Sequence, residues 1–183
     1  MDLKEVLKIL IEKLQAQNID FVLIGGLALS TVNIFRFTKD LDFMVHEESK
    51  EKIHAVMTEL GYAKQDFSSD EIVSYLSPLN KFGQVDFLLA RRKYSQAMMS
   101  RAGKKPVFND SFQVKTLRSE DIIGLKIQAL HNDPGNRYVV DAPDIQQLLK
   151  LHGQHMDMGL VREYFRLFEK EHLLDEWLEN IKR

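Results

Sequence analysis

The chain has 183 residues, 44% of them hydrophobic and 28% charged, with a formal net charge of −2. That is enough for one domain with a real core, lies in the range of ordinary soluble globular proteins, and excludes a global basic field for nucleic acid. The absence of cysteine excludes disulfides, thiolate zinc sites and cysteine nucleophiles, and is compatible with a reducing cytoplasm.

Leu3, Val6, Leu7, Leu10 and Leu14 recur at three- and four-residue intervals, which predicts a helix that Asp2 caps. Charges interrupt this start, so it lacks the apolar core of a signal peptide, and the longest apolar run, Phe21 to Leu29, is too short to span a bilayer. The expectation is a cytoplasmic protein with no membrane association. Phe21 to Ile24 reads as a buried strand stopped by Gly25-Gly26. A short helix from Leu27 to about Asn33 and a loop through Arg36 then lead into a strand from Asp40 to Val45. Ser49 is placed to cap a helix ending at Leu60, where Gly61 suits the left-handed position. Strands follow at Tyr62 to Phe67, Ile72 to Ser77 and Val85 to Leu89, separated by the turn-rich Ser68-Ser69-Asp70 and Pro78-Leu79-Asn80.

A helix from Tyr94 to Arg101 and short strands near Val107 and Val114 precede Ser119, a candidate cap, with Glu120 and Asp121 suited to the positive end of a helix. From Asp144 onward the pattern is helical, with apolar spacing at Ile145, Leu148, Leu149, Val161, Phe165, Leu167 and Phe168. The order predicts an α+β fold, a mixed sheet flanked by helices with a helical C-terminal region. Residues 1–118 are expected to form the core and residues 119–183 a helical region packed on it, together one compact unit.

Alternation in a strand puts Asp40 and Asp42 on one face and Leu41, Phe43 and Val45 on the other. Two aligned carboxylates repel and resist desolvation unless a cation neutralises them, and a hard divalent ion takes such oxygen ligands. Asp86 interrupts a second apolar strand in Gln84-Val85-Asp86-Phe87. Three acids on two strands suit a pair of ions ~3.5–4 Å apart, the arrangement used in phosphoryl transfer. Gly25-Gly26 adds a turn whose backbone amides can approach a phosphate. The chain has neither a GxxxxGK loop nor a GxGxxG fingerprint.

Taken together, Gly25-Gly26, Arg36-Phe37-Thr38, Asp40-Leu41-Asp42 and Asp86 resemble the nucleotidyltransferases of the DNA polymerase β-like superfamily, especially the AbiEii and minimal nucleotidyltransferase branches of bacterial toxin–antitoxin and phage-defence systems. The resemblance spans residues 19 to 150 and extends to Lys126 in Ser119-Glu120-Asp121-Ile122-Ile123-Gly124-Leu125-Lys126 and to Asp141-Ala142-Pro143-Asp144, which is similar to an aspartate pair opening the next helix. It implies a nucleotidyltransferase fold and transfer of a nucleoside monophosphate from a triphosphate such as ATP or GTP to an acceptor hydroxyl on RNA, protein or a small molecule. In that pattern Asp40, Asp42 and Asp86 hold Mg2+ or Mn2+, and Asp86 also activates the hydroxyl. Gly25, Gly26, Arg36, Thr38 and Lys126 meet the nucleotide, Asp141 and Asp144 support the site, and a cognate partner protein is implied. Where many members carry serine at the second glycine, this chain has Gly26.

Plainer readings stand beside these. A catalytically degenerate member acting as a nucleotide-binding or antitoxin-like module needs only the cleft. Lys126 is either a ligand or a lysine snorkelling to water, and Asp141 and Asp144 are either site residues or helix caps. Between Phe87 and Asn109, Arg91, Arg92, Lys93, Arg101, Lys104 and Lys105 occur without an acid, as a phosphate-steering patch or as solvated surface. Met98-Met99, Tyr164, Phe165 and Phe168 read as packing, and His152 with His155 lacks a third zinc ligand nearby in sequence.

Overall fold

The apolar spacing near the N-terminus produces helix α1 (Leu3–Ala16), whose buried side chains Val6, Leu7, Leu10 and Leu14 belong to the predicted face. The computed structural model describes residues 3–66, 70–77, 83–108 and 111–182. The chain divides into two units, Met1–Leu117 and Arg118–Arg183.

In the first unit, α1 is followed by β1 (Phe21–Ile24), α2 (Gly25–Ser30), β2 (Leu41–His46), α3 (Lys50–Glu59), β3 (Ala63–Lys64), β4 (Ile72–Leu76), β5 (Gln84–Ala90), α4 (Lys93–Arg101), β6 (Gly103–Val107) and β7 (Phe112–Thr116). The seven strands form one mixed sheet in the order β3-β4-β5-β2-β1-β7-β6. The pairs β2–β5 and β1–β7 are parallel and the others antiparallel. Leu41, Phe43 and Val45 of β2 and Val85, Phe87 and Leu89 of β5 pack into a core with the buried faces of α1 and α3. Within it Phe43 stacks on Phe87 with ring centroids 5.6 Å apart. One edge of the sheet is the two-residue β3, and the other carries Lys104, Lys105 and Pro106, which disfavour further strand pairing.

The second unit holds α5 (Ser119–Asn132), α6 (Pro134–His152), α7 (Met158–Leu167) and α8 (Glu171–Lys182). Leu130, Leu148, Leu149, Val161, Phe165, Leu174 and Trp177 are buried. Phe165 meets Trp177 edge-on at 5.9 Å.

Several boundaries differ from the sequence expectation. Helix α2 begins at Gly25 and stops at Ser30, because the Ser30 and Thr31 hydroxyls donate to the Leu27 and Ala28 carbonyls and Asn33 then turns left-handed at φ 61°. Strand β2 starts one residue late, with the Asp40 carbonyl accepting from the Thr38 hydroxyl at 3.3 Å. Of the strand expected over Tyr62 to Phe67, only Ala63–Lys64 is strand among the described residues, and Phe67 lies outside them. Ser49 and Ser119 make no capping hydrogen bond, since a 3-10 turn precedes α3 and Ser119 already lies inside α5.

The largest correction is α6, which starts at Pro134 and not at Asp144. The Asp133 side chain accepts from the Asn136 amide at 3.2 Å, and proline occupies the first turn, where its missing N–H costs nothing. Asp141 and Asp144 are therefore mid-helix residues and cap nothing. The Asp2 cap and the turns at Ser68-Ser69 and Pro78-Leu79-Asn80 lie outside the described residues.

Candidate active site

Period-two alternation settles which side chains meet on the sheet. In register, Ile24 of β1 pairs with Asp42 of β2, Asp42 with Asp86 of β5, and Asp86 with Ser74 of β4. Asp42 and Asp86 thus stand side by side on the face opposite Phe43 and Phe87. Asp40 immediately precedes β2, and it is close enough to Asp86 to feel its charge. Burial first, and then the Asp86 charge, raise the Asp40 carboxyl above its ordinary value, while Lys39 pulls it back.

The glycine pair has a packing reason. Gly25 sits at φ +67°, and a β-carbon there would lie 1.9 Å from Asp42 Oδ2. At Gly26 a β-carbon would lie 2.9 Å from both Cβ and Oγ1 of Thr38 and 3.4 Å from Arg36 Nε. No side chain fits at either position, so the backbone of the turn closes directly on the Asp42 carboxylate and the Thr38 hydroxyl. Five expected residues, Gly25, Gly26, Arg36, Thr38 and Asp42, gather at this turn, and Asp40 and Asp86 adjoin through β2 and β5.

Sequence reasoning missed Gln84. Its amide Nε2 donates to Asp86 Oδ1 at 2.9 Å and to Oδ2 at 3.0 Å, holding the carboxylate from two residues away on the same strand face. The signal was the amide in Gln84-Val85-Asp86, at that two-residue spacing.

The donor set suits a hard divalent cation: two carboxylates in register on neighbouring strands, a third just before one of those strands, and no soft ligand. As the side chains stand, no group of three acidic, histidine or cysteine residues among those described converges as a ready ligand set. Asp86 is instead held by Gln84.

Lys126, Asp141 and Asp144 form a separate cluster inside the second unit. Lys126 Nζ donates to Asp141 Oδ1 at 2.7 Å and pairs with Asp144 Oδ2 at 2.7 Å. Asp141 is fully buried and also accepts from Arg137 Nε at 2.7 Å, one helical turn earlier. Lys126 is buried, so it does not snorkel to water. Nearby in sequence, Asp121 is buried and accepts from the Tyr164 hydroxyl at 2.6 Å, a partner that a dipole argument for the first turn of α5 does not anticipate. Of the basic run, Arg91 pairs with Glu47 and Arg92 with Glu71, which reduces that patch to an ordinary salt-bridged surface at those positions. No helix among the described residues is long and apolar enough to cross a membrane.

Comparison with known proteins returns a family model described as nucleotidyl transferase AbiEii toxin, type IV TA system, which matches residues 8–180. No curated protein matches the chain. Among solved structures, the antibiotic-resistance factor ANT(2'')-Ia is 14% identical, with 98% of this chain and 99% of that one covered and a TM-score of 0.67. An antigenic nucleotidyltransferase-like protein from Paracoccidioides brasiliensis is 19% identical over 97% of this chain and 92% of that one, TM-score 0.59. The lincosamide antibiotic adenylyltransferase LnuA is 12% identical over 79% and 94%, TM-score 0.56. At these identities the likeness shows the fold.

Proposed function

The chain belongs to the AbiEii nucleotidyl transferase family, and from that premise we propose that it moves a nucleoside monophosphate from a nucleoside triphosphate to an acceptor hydroxyl with Asp40, Asp42 and Asp86 as its metal-holding carboxylates. The observation that carries this reading is the register pairing of Asp42 with Asp86, with Asp40 beside them and the Gly25-Gly26 backbone closed onto Asp42.

Magnesium or manganese, when bound, supplies positive charge to the triphosphate and to the attacking oxygen. The residues supply the rest. The turn at Gly25-Gly26 presents backbone to the phosphates, with Thr38 and Arg36 against it to bond and neutralise phosphate oxygens. Asp86, oriented by Gln84, accepts the proton of the acceptor hydroxyl. The acceptor oxygen then forms its bond to the α-phosphorus, the bond from that phosphorus to the β-bridging oxygen breaks, and pyrophosphate departs with the electron pair.

Lys126 is committed to Asp141 and Asp144 within the second unit, so this reading gives it no step in the transfer. The acceptor is RNA, protein or a small molecule. ANT(2'')-Ia and LnuA are named for antibiotics, and the family description, a type IV toxin–antitoxin system, supports a cognate antitoxin partner. The test is transfer of label from each α-labelled nucleoside triphosphate, with magnesium or manganese, into RNA, protein and small hydroxyl compounds, using Asp40→Asn/Asp42→Asn as control. Label that requires both acids supports the reading. Absence of transfer to every acceptor, or equal transfer by the variant, overturns it in favour of a binding module.

A further inference from the structure

The segment between α2 and β2 is pinned at both ends. Val32 and Ile34 are buried, the Ile34 amide donates to the Leu29 carbonyl at 3.0 Å, and Leu41 is fully buried. Between these anchors the side chains divide. Arg36 and Thr38 reach back to Gly26. Phe35 and Phe37 do the opposite: they are 78% and 84% exposed, the most exposed large apolar side chains among the described residues. Phenylalanine ordinarily fills cores, so two rings held in water beside a candidate active site call for an occupant.

The character of that occupant follows from the neighbours. From Asn33 to Lys39 the segment contains two cations and no acid, and Lys39 Nζ lies 5.9 Å from the Phe37 ring centroid. Arg36 faces the other way, so the exposed side of the strip offers two flat π surfaces with the Lys39 ammonium over one of them, which matches unpaired nucleotides, whose bases stack on aromatic rings while a phosphate meets the lysine. An aliphatic protein surface would use the rings but has no use for the charge. A duplex would use the charge but keeps its bases stacked on one another.

We propose that Phe35, Phe37 and Lys39 form the docking strip for a single-stranded polynucleotide acceptor, which stacks its terminal bases on the two rings and brings its terminal hydroxyl toward the Asp40–Asp42–Asp86 carboxylates. The assignment rests on the transferase reading for its catalytic outcome, but its binding step can be measured alone.

The experiment is fluorescence anisotropy of the full chain with 5′-labelled twelve-residue oligoadenylate and oligouridylate RNAs, in parallel with titration of a fluorescent ATP or GTP analogue. Replacing both rings, Phe35→Ala with Phe37→Ala, lowers oligonucleotide affinity about ten- to a hundredfold. Phe35→Tyr with Phe37→Tyr keeps it, and Lys39→Ala reduces the salt dependence by about one phosphate's worth. Nucleotide binding stays unchanged in the ring variants. Oligonucleotide affinity that ignores the rings, or wild-type protein that binds no single strand, overturns the proposal and leaves the rings to a protein partner. A parallel loss of nucleotide binding also overturns it, since the rings would then hold the base of the incoming nucleotide. Asp42→Asn separates the two readings: it removes transfer if the transferase reading holds and leaves oligonucleotide binding intact.

Discussion

Asp42 of β2 is the register partner of Asp86 of β5, so two carboxylates stand side by side on the central pair of parallel strands in a seven-stranded sheet. A fold built for stability alone would not place them there, because like charges set side by side repel, and the charge of Asp86, after burial, raises the neighbouring Asp40 carboxyl. The apo protein should therefore gain stability when one is neutralised. Thermal melting in EDTA is expected to show Asp86→Asn more stable than wild type by on the order of 1 kcal/mol or less, once solvent screening is counted. Transfer activity is expected to drop by roughly 10²–10⁴-fold. Magnesium or manganese should raise the melting temperature of the wild type but not of Asp42→Asn. A destabilised Asp86→Asn, or equal metal stabilisation of both proteins, would contradict the arrangement.

The two glycines offer an independent check, because each excludes a different neighbour. Gly25→Ala meets both a left-handed backbone and the Asp42 carboxylate, and is expected to cost about 1–3 kcal/mol and to impair metal-dependent nucleotide binding. Gly26→Ala meets only Thr38 and the tip of Arg36. Thr38→Gly removes both atoms that crowd the new β-carbon, so the double variant should recover part of the loss, with coupling of about 0.5–3 kcal/mol in a double-mutant cycle. Additive losses would show that Thr38 does not occupy the space at Gly26.

These contacts show what could be read from residue order and what could not. The alternation of Asp40 and Asp42 with Leu41, Phe43 and Val45 is a local pattern, and the three apolar side chains are fully buried as that pattern requires. The pairing of Asp42 with Asp86 is not local, since neither strand names its partner. Gly25 was legible as a turn, but its reason, the carboxylate pressed against it, is a tertiary contact. The start of α6 was hidden by Pro143, which interrupts the helical signal, although Asp133-Pro134 was a readable cap. Lys126 read as either a nucleotide ligand or a snorkelling lysine, because its two carboxylates come from the following helix.

Alkaline pH should weaken the first unit in a defined window. Burial pushes the phenols of Tyr62 and Tyr75 up to about 12, with the charge of Glu51 adding to the effect at Tyr75. In the unfolded chain both ionise near 10. Between those values the native state holds protons that the unfolded state has released, so stability falls as pH rises from about 10 and the loss is complete once pH passes about 12. Each tyrosine contributes roughly 2 kcal/mol to that loss. Urea unfolding across this range should show the decline, and Tyr62→Phe with Tyr75→Phe should flatten it. Native phenolate absorbance that rises in step with that of the urea-unfolded chain would refute the assignment.

The second unit rests on a balance of buried charge that makes its own prediction. Lys126 is buried between Asp141, which is fully buried, and Asp144, while the half-exposed Arg137 supplies the second cation. Removing one member strands the others in a medium where they cannot be hydrated, so Lys126→Met is expected to destabilise the helices by about 3–5 kcal/mol in urea titrations followed by circular dichroism. Replacing all three buried members with apolar residues, Lys126→Met, Asp141→Leu and Asp144→Leu, should recover much of that loss, because no uncompensated charge remains buried. Salt should hardly change the difference between Lys126→Met and wild type, since ions do not screen a pair enclosed by protein. A loss under about 1 kcal/mol for Lys126→Met, of the size seen for surface pairs, would mean that water reaches these carboxylates in solution.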